Sequence, residues 1–448
     1  MKISRLKMVL IAAGLIAFGT SCKKKGCTDP EATNFSAEAK KDDGSCVYDP
    51  DTWYTEVTYG GSTYRQIEGT ITSDQTLDAA NDWLLSGGVF VADGVTLTIE
   101  AGTNVYAADD GTVPFLSIMQ GGKVMAVGTA SDPIIFKPVK ANPAPGDWGG
   151  IIVNGYAPIN TGLTAEGEGG TGTYGGSDAS DNSGQLSYVR VEYAGKILGT
   201  DNELNGFSFN GVGSGTQLDH LQAHLGSDDG FEFFGGTASL KYAVSTGNQD
   251  DSFDWTHGWQ GNGQFWVVEQ SSMGGDRGIE GDNNGDNNSA TPMTNPTISN
   301  ITLIGVDDGD GANQGMKLRE GMMANIYNAI VTGFPKRGVQ VEHNVTITNL
   351  ENGDLTMNYS IVDNTNPFVY TSSIGTDTSS FLTNTFDNAS FNNQSATDGS
   401  LVGFLSGYVG TSTSAFDPTS LGTWFEAGTF VGAVESSNDW TAGWTVGL

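Results

Sequence analysis

The chain has 448 residues, enough for a large core, and its 64 glycines with only 37% hydrophobic residues favour strands and turns over helices. Its formal charge of −32 excludes nucleic acid as a partner, because phosphates would be repelled. The same surplus suits a solvated extracellular or periplasmic protein and divalent cations.

Residues 1–21 read as a targeting leader. Lys2, Arg5 and Lys7 are its positive start, and the apolar run from Met8 to Phe18 is too short to span a bilayer. Gly19-Thr20-Ser21 then precede Cys22. This pattern resembles a bacterial lipoprotein signal of the looser Bacteroidetes type, without Leu three positions before the Cys. The other reading is an ordinary secretion leader with a stray Cys. The resemblance implies that Cys22 is acylated and that the protein sits on the outer membrane, facing the periplasm or the cell surface. Cys27 and Cys46 are then left to pair. Residues 22–26 form the tether, with Lys23, Lys24 and Lys25 against lipid head groups or simply solvated.

Residues 27–46 run from Cys27-Thr-Asp-Pro-Glu-Ala-Thr-Asn-Phe35 to Asp42-Asp43-Gly44-Ser45-Cys46. They resemble a small Cys-bounded module of secreted flavobacterial proteins. So short a module holds no core and needs its staple, worth ~3 kcal/mol. Asp42-Asp43-Gly44 is either a plain turn or a calcium loop. Residues 47–65 are expected to be a linker.

Residues 66–363 carry a repeat. Val95 to Val105 is a strand, a turn and a strand, and Phe115 to Phe136 continues the pattern across a Gly128/Pro133 turn. The passage resembles the opening rungs of right-handed, pectin-lyase-like β-helix proteins. Further on, Gly206-Phe-Ser-Phe-Asn-Gly211 recurs as Gly230-Phe-Glu-Phe-Phe-Gly235, Ser252-Phe-Asp-Trp-Thr-His257, Gly278-Ile-Glu-Gly-Asp-Asn283, Gly315-Met-Lys-Leu-Arg-Glu320 and Gly338-Val-Gln-Val-Glu-His343. An earlier copy is Gly150-Ile-Ile-Val-Asn-Gly155. From Gly206 on, the copies start roughly 20–40 residues apart, the period of solenoids and arrays. Each alternates apolar with polar, the strand period. A second strand precedes each copy, as in Leu218-x-x-Leu221-x-Ala223 and Ile298-x-x-Ile301-x-Leu303. Such coils bury their apolar faces only by stacking, so the expected fold is all-β, a right-handed parallel β-helix. The stretches 162–184 and 281–295 read as loops between rungs. The segment from Asp228 to Asp282 resembles a group of bacterial β-helix proteins bearing Asp-Asp-Gly-Phe-Glu-Phe-Phe-Gly-Gly, which supports the fold and not an activity.

Stacking at ~4.8 Å brings distant acids together. Glu232, Asp254, Glu280 and Lys317 form one outward column, and Thr256, Asp282, Arg319 and Glu342 a second. The turns entering these strands add Asp228-Asp229, Asp250-Asp251 and Asp276-Arg277. Like charges at that spacing repel by ~0.9 kcal/mol even in water. A divalent cation, the Lys317/Arg319 end or raised carboxylate pKa values must relieve them. The metal candidates are Asp228, Asp229, Asp250 and Asp251, with Ca2+ as the ion. As a catalytic groove, Glu232, Asp254 and Glu280 would be acids or cation ligands and Lys317 or Arg319 the base of a polysaccharide lyase or hydrolase. As a binding groove, Asp282 and Glu342 line it, and Trp255, Trp259, Phe265 and Trp266 flank a glycan. As a structural subunit of an outer-membrane complex, the line is only a solvated face. The reading favoured is binding without turnover. Residues 364–448 are expected to form a C-terminal cap, with Trp424, Phe425, Trp440 and Trp444 over the open end.

Overall fold

The computed structural model describes residues 24–30, 32, 34–46, 53–200, 202–307, 309, 311–371, 386, 389–401, 407, 409–411 and 414–448. The leader and Cys22 lie outside them. The chain divides into two compact units, Met1–Trp53 and Tyr54–Leu448. In the first, Cys27 and Cys46 are joined by a disulfide with Cα atoms 4.7 Å apart. Asp42 and Asp43 turn their carboxylates onto the backbone N–H groups of Gly44 and Ser45, so the Asp-Asp-Gly run is a turn held by its own side chains.

The second unit is a right-handed parallel β-helix. One lane stacks Phe115–Ile118, Ile151–Asn154, Phe207–Asn210, Phe231–Phe234, Phe253–Thr256, Arg277–Gly281, Gln314–Leu318 and Arg337–Glu342 in parallel register. From Ile151 on, the residue just before the first inward apolar position of each strand is Gly150, Gly206, Gly230, Ser252, Gly278, Gly315 or Gly338. A Cβ at Gly206 would lie 2.6 Å from the Gly230 carbonyl oxygen, and one at Gly230 lies 2.7 Å from that of Ser252. Close approach of successive backbones explains why the repeated phrase opens on glycine.

The preceding strands are longer: Gly184–Glu192, Gln217–His224, Ser239–Thr246, Asn262–Glu269, Thr297–Ile304 and Ala324–Thr332. Each bends at one residue with positive φ, namely Tyr188, His220, Tyr242, Phe265, Asn300 and Asn328. The bend splits each strand into a second and a third lane. The rings at the corner stack, with centroids 4.1 Å apart for Tyr188–His220, 4.4 Å for His220–Tyr242 and 4.9 Å for Tyr242–Phe265. Left-handed backbone at non-glycine residues costs about 1–2 kcal/mol each, and ring stacking returns a similar amount.

Inside, the inward columns interlock. Phe207, Phe231, Phe253 and Trp266 stack with centroids 4.2–5.1 Å apart, and Phe233 lies 4.3 Å from Trp259. Trp255, Trp259 and Trp266 are 0% exposed. The expectation that they flank a groove is therefore corrected. The pleat sends Trp255 inward, and glycines make room for the large rings. A Cβ at Gly281 would meet Trp255 Nε1 at 2.8 Å, and one at Gly263 would meet Trp266 Cζ2 at 2.5 Å. Phe265 is likewise buried, at the corner.

The boundaries also differ from expectation. Thr55–Tyr59, placed in the linker, pairs antiparallel with Ser62–Ile71 and opens the sheet. Past residue 363, Phe368–Thr371 and Gln394–Ala396 still pair with the coil. Trp440 and Trp444 do not sit over the open end. They pack edge-on against His220, Tyr242 and Tyr188 on the flank, and Trp424 lies under Lys241. The corner rings need cover, and residues 414–448 supply it as a strap. Phe416 N–H donates to Asn328, Asn300 donates to Gly428 and Phe430, and Val446 N–H donates to Gln222.

Candidate acidic site

The register brings Glu232, Asp254, Glu280 and Lys317 side by side as expected. The turns stack as well: Gly230 N–H donates to the Asp251 carbonyl and Ser252 N–H to that of Arg277. Three rungs thus make a three-by-three grid: Asp228, Asp229 and Glu232; Asp250, Asp251 and Asp254; Asp276, Arg277 and Glu280. Eight of the nine positions are carboxylates, and Arg277 is the exception.

Four overlapping triads arise. Asp228/Asp229/Asp250 and Asp229/Glu232/Asp254 lie between the first two rungs, and Asp250/Asp251/Asp276 and Asp251/Asp254/Glu280 between the last two; within each, carboxylate oxygens lie within 4.8 Å of one another. Arg277 serves the last two. Its guanidinium is 2.5 Å from Asp276, 3.5 Å from Asp251 and 3.1 Å from Glu280. Arg319 adds contacts of 2.9 Å to Glu280 and 2.8 Å to Asp282, and Lys317 stands 3.4 Å from Glu280 and 3.9 Å from Glu342. Among the described residues, no Lys or Arg pairs with Asp228, Asp229, Glu232 or Asp254. Asp229 accepts the backbone N–H of Asp251, and Glu232 accepts the Asn205 amide. Asp228 Oδ2 and Asp254 Oδ1 are buried with no hydrogen-bond donor among the described residues.

Burial and crowding act on the acids together. Desolvation, then Asp250, pushes Asp228 up to about 8. Desolvation and Glu203 push Glu168 up to about 7. Asp250 rises only to about 6, because Arg277 opposes burial and Asp276. Asp229, Glu232, Asp251 and Asp254 are held well above the usual carboxylate range by burial first and neighbouring acids second. Asp282 is pushed up to about 7 by burial, against the pull of Arg319.

The site has members the repeat did not reveal. Glu168, Glu203 and Asn205 join the grid acids around a cavity of about 140 Å3. Glu168 comes from the loop 162–184, and Glu203 from the Ile197–Gly199/Asn202–Glu203 hairpin. Both belong to excursions from the coil, where no period says which face they return to. The Asn-rich run after Asp282 is not an acid cage. Asn283 and Asn284 form an amide knot with Asn160 and the backbone of Ala290.

Oxygens this close can share one Ca2+, whose ligands stand ~2.3–2.6 Å from the ion. Between the first two rungs, Asp228, Asp229 and Asp250 could hold one ion and Asp229, Glu232 and Asp254 another, with Asp229 common to both sets. Residues 69–445 match the pectate-lyase-like β-helix domain family. No curated protein and no solved structure matches the chain significantly.

Proposed function

Because the chain belongs to the pectate-lyase-like β-helix domain family, a fold that by itself fixes no chemistry, we propose a binding role for its acidic face. Calcium held by the Asp228/Asp229/Asp250 and Asp229/Glu232/Asp254 triads bridges the protein to an acidic glycan. The observation that carries this is two buried, unpartnered oxygens, Asp228 Oδ2 and Asp254 Oδ1, one in each of two triads with which no described Lys or Arg forms an ion pair. A hard cation takes six to eight oxygens, and uronate carboxylates and hydroxyls complete such a shell. Without the cation, the face would repel an anionic polymer. Acylation of Cys22 holds the protein on the outer membrane.

Turnover by a lyase is the second reading, favoured by Lys317 standing beside Glu280 and Glu342. Arg319 is the poorer base, since Asp282 and Glu280 hold its guanidinium charged. Calorimetric titration of chelator-stripped protein with polygalacturonate and alginate separates the readings. Binding that appears only with Ca2+ and is lost in Glu232→Gln supports the binding role. Unsaturated products that vanish in Lys317→Ala make the protein a lyase. Neither binding nor products in the presence of Ca2+ leaves the scaffold of an outer-membrane complex.

A further inference from the structure

A larger cleft, of about 630 Å3, lies on the second lane, away from the acidic grid. Its volume is within the ~300–1,000 Å3 usual for small-ligand sites. Its floor is the outward side of Gln217–His224, Ser239–Thr246 and Asn262–Glu269, where Gln217 and Ser239, and Asp219 and Lys241, are register partners. Its far wall is Trp424 and Glu426 from the strap, so the cleft exists only because the strap docks.

The charges in this cleft are already matched. Asp219 Oδ1 accepts the Ser187 hydroxyl at 2.6 Å and meets His220 Nδ1 at 2.7 Å. Glu426 accepts from Lys241 Nζ and from the Tyr242 hydroxyl, both at 2.8 Å. An ionic ligand would have to break one of these pairs. What remains to offer is neutral. Gln217 is exposed, and its amide bonds no described residue. Ser239 Oγ accepts from Asn262 N and Nδ2 at 3.0 and 3.3 Å, which leaves its hydroxyl hydrogen to donate. Trp424 is half-buried at the rim, its ring fixed by Lys241 4.7 Å away. Amides and hydroxyls repeated at the ~4.8 Å rung interval, beside an immobilised indole, suit a ligand with hydroxyls on its edge and C–H groups on its face.

We propose that this cleft binds a neutral oligosaccharide, independently of the cation and of the acidic face. The test is calorimetric titration of the whole protein, in chelator, with cellohexaose, xylohexaose, mannohexaose and laminarihexaose. At least one is expected to bind with Kd of roughly 1 mM or tighter. Trp424→Ala should weaken it roughly tenfold or more, as removal of an aromatic anchor does. Gln217→Ala, on an exposed side chain that leaves the fold alone, should weaken it several-fold, and Glu232→Gln should leave it unchanged. The proposal is overturned if none of the four binds, or if Gln217→Ala and a folded Trp424 variant (Ala, or Phe should Ala unfold) leave affinity untouched. Binding that needs Ca2+ or is lost in Glu232→Gln also overturns it, by assigning the sugar to the acidic face.

Discussion

Arg277 divides the acidic grid. It stands where the two rungs above have Asp229 and Asp251, and it neutralises the lower triads that its neighbours would otherwise leave to a metal. Arg277→Met leaves Asp251 and Glu280 buried without that partner. Breaking a buried pair in this way costs about 3–5 kcal/mol. Urea unfolding in chelator should show that loss, and Ca2+ should restore more stability to the variant than to the parent. Asp254→Asn should do the reverse: it removes a crowded buried charge, raises stability in chelator and shrinks the calcium effect. A parent-like calcium response in both variants would remove the grid from the account. At this scale the sequence was readable where the strand period governs. Glu232, Asp254 and Glu280 align because the pleat alternates, and the same alternation places Trp255 inside. Trp266 is hard to place from sequence because its signal is indirect, lying in the missing side chain of Gly263, three residues earlier in the same strand and across the Phe265 bend. Glu168 and Glu203 carried no signal at all, since excursions from the coil obey no period.

Among the elements, the strap has the most to explain. Its Trp444 is 0% exposed and lies 5.6 Å from Tyr188 and 5.8 Å from His220, while Arg190 donates to the Trp444 carbonyl at 2.6 Å. The corner column creates this need: rings held at positive φ point away from the core and require a cover from elsewhere in the chain. Sequence reading found the aromatic-rich tail and expected it over the open end, because an end always needs cover. The bend within each long strand, which makes the flank sticky, shows only faintly in a mixed column of Tyr, His, Phe and Asn. Trp444→Ala should cost about 3–5 kcal/mol, the range for emptying a buried Trp site. Limited proteolysis should then cut within 414–448 before the coil is touched. Simultaneous loss of coil and strap would mean that the strap is part of the coil's folding unit.

For the whole molecule, the raised acids set the response to pH. A carboxylate with a folded pKa above its unfolded value keeps a proton that the unfolded chain releases. Its stabilising contribution is complete below about pH 4 and is lost as pH rises through the folded value. For Asp250, Glu168 and Asp228 those values are about 6, 7 and 8. Without metal, stability therefore declines from pH 5 to pH 8. Calcium bound at the proposed site is expected to reverse the decline, since it would take the place of the protons and bind best when they are gone. The parallel coil and its inward columns are open to sequence reading because they follow from the repeat and the strand period, and the N-terminal disulfide because the resemblance to a lipoprotein signal leaves Cys27 and Cys46 to pair. How the acids share their charge was not, because it depends on which cations reach them in space.

The most direct test is one measurement: the thermal midpoint of chelator-stripped protein at pH 5 and pH 8, with and without Ca2+. The account predicts a lower midpoint at pH 8 than at pH 5 in chelator. It predicts a rise on adding Ca2+ at pH 8, corresponding to about 2.7 kcal/mol at a hundredfold excess over Kd, and a smaller rise at pH 5. A midpoint indifferent to Ca2+ at pH 8 would contradict it.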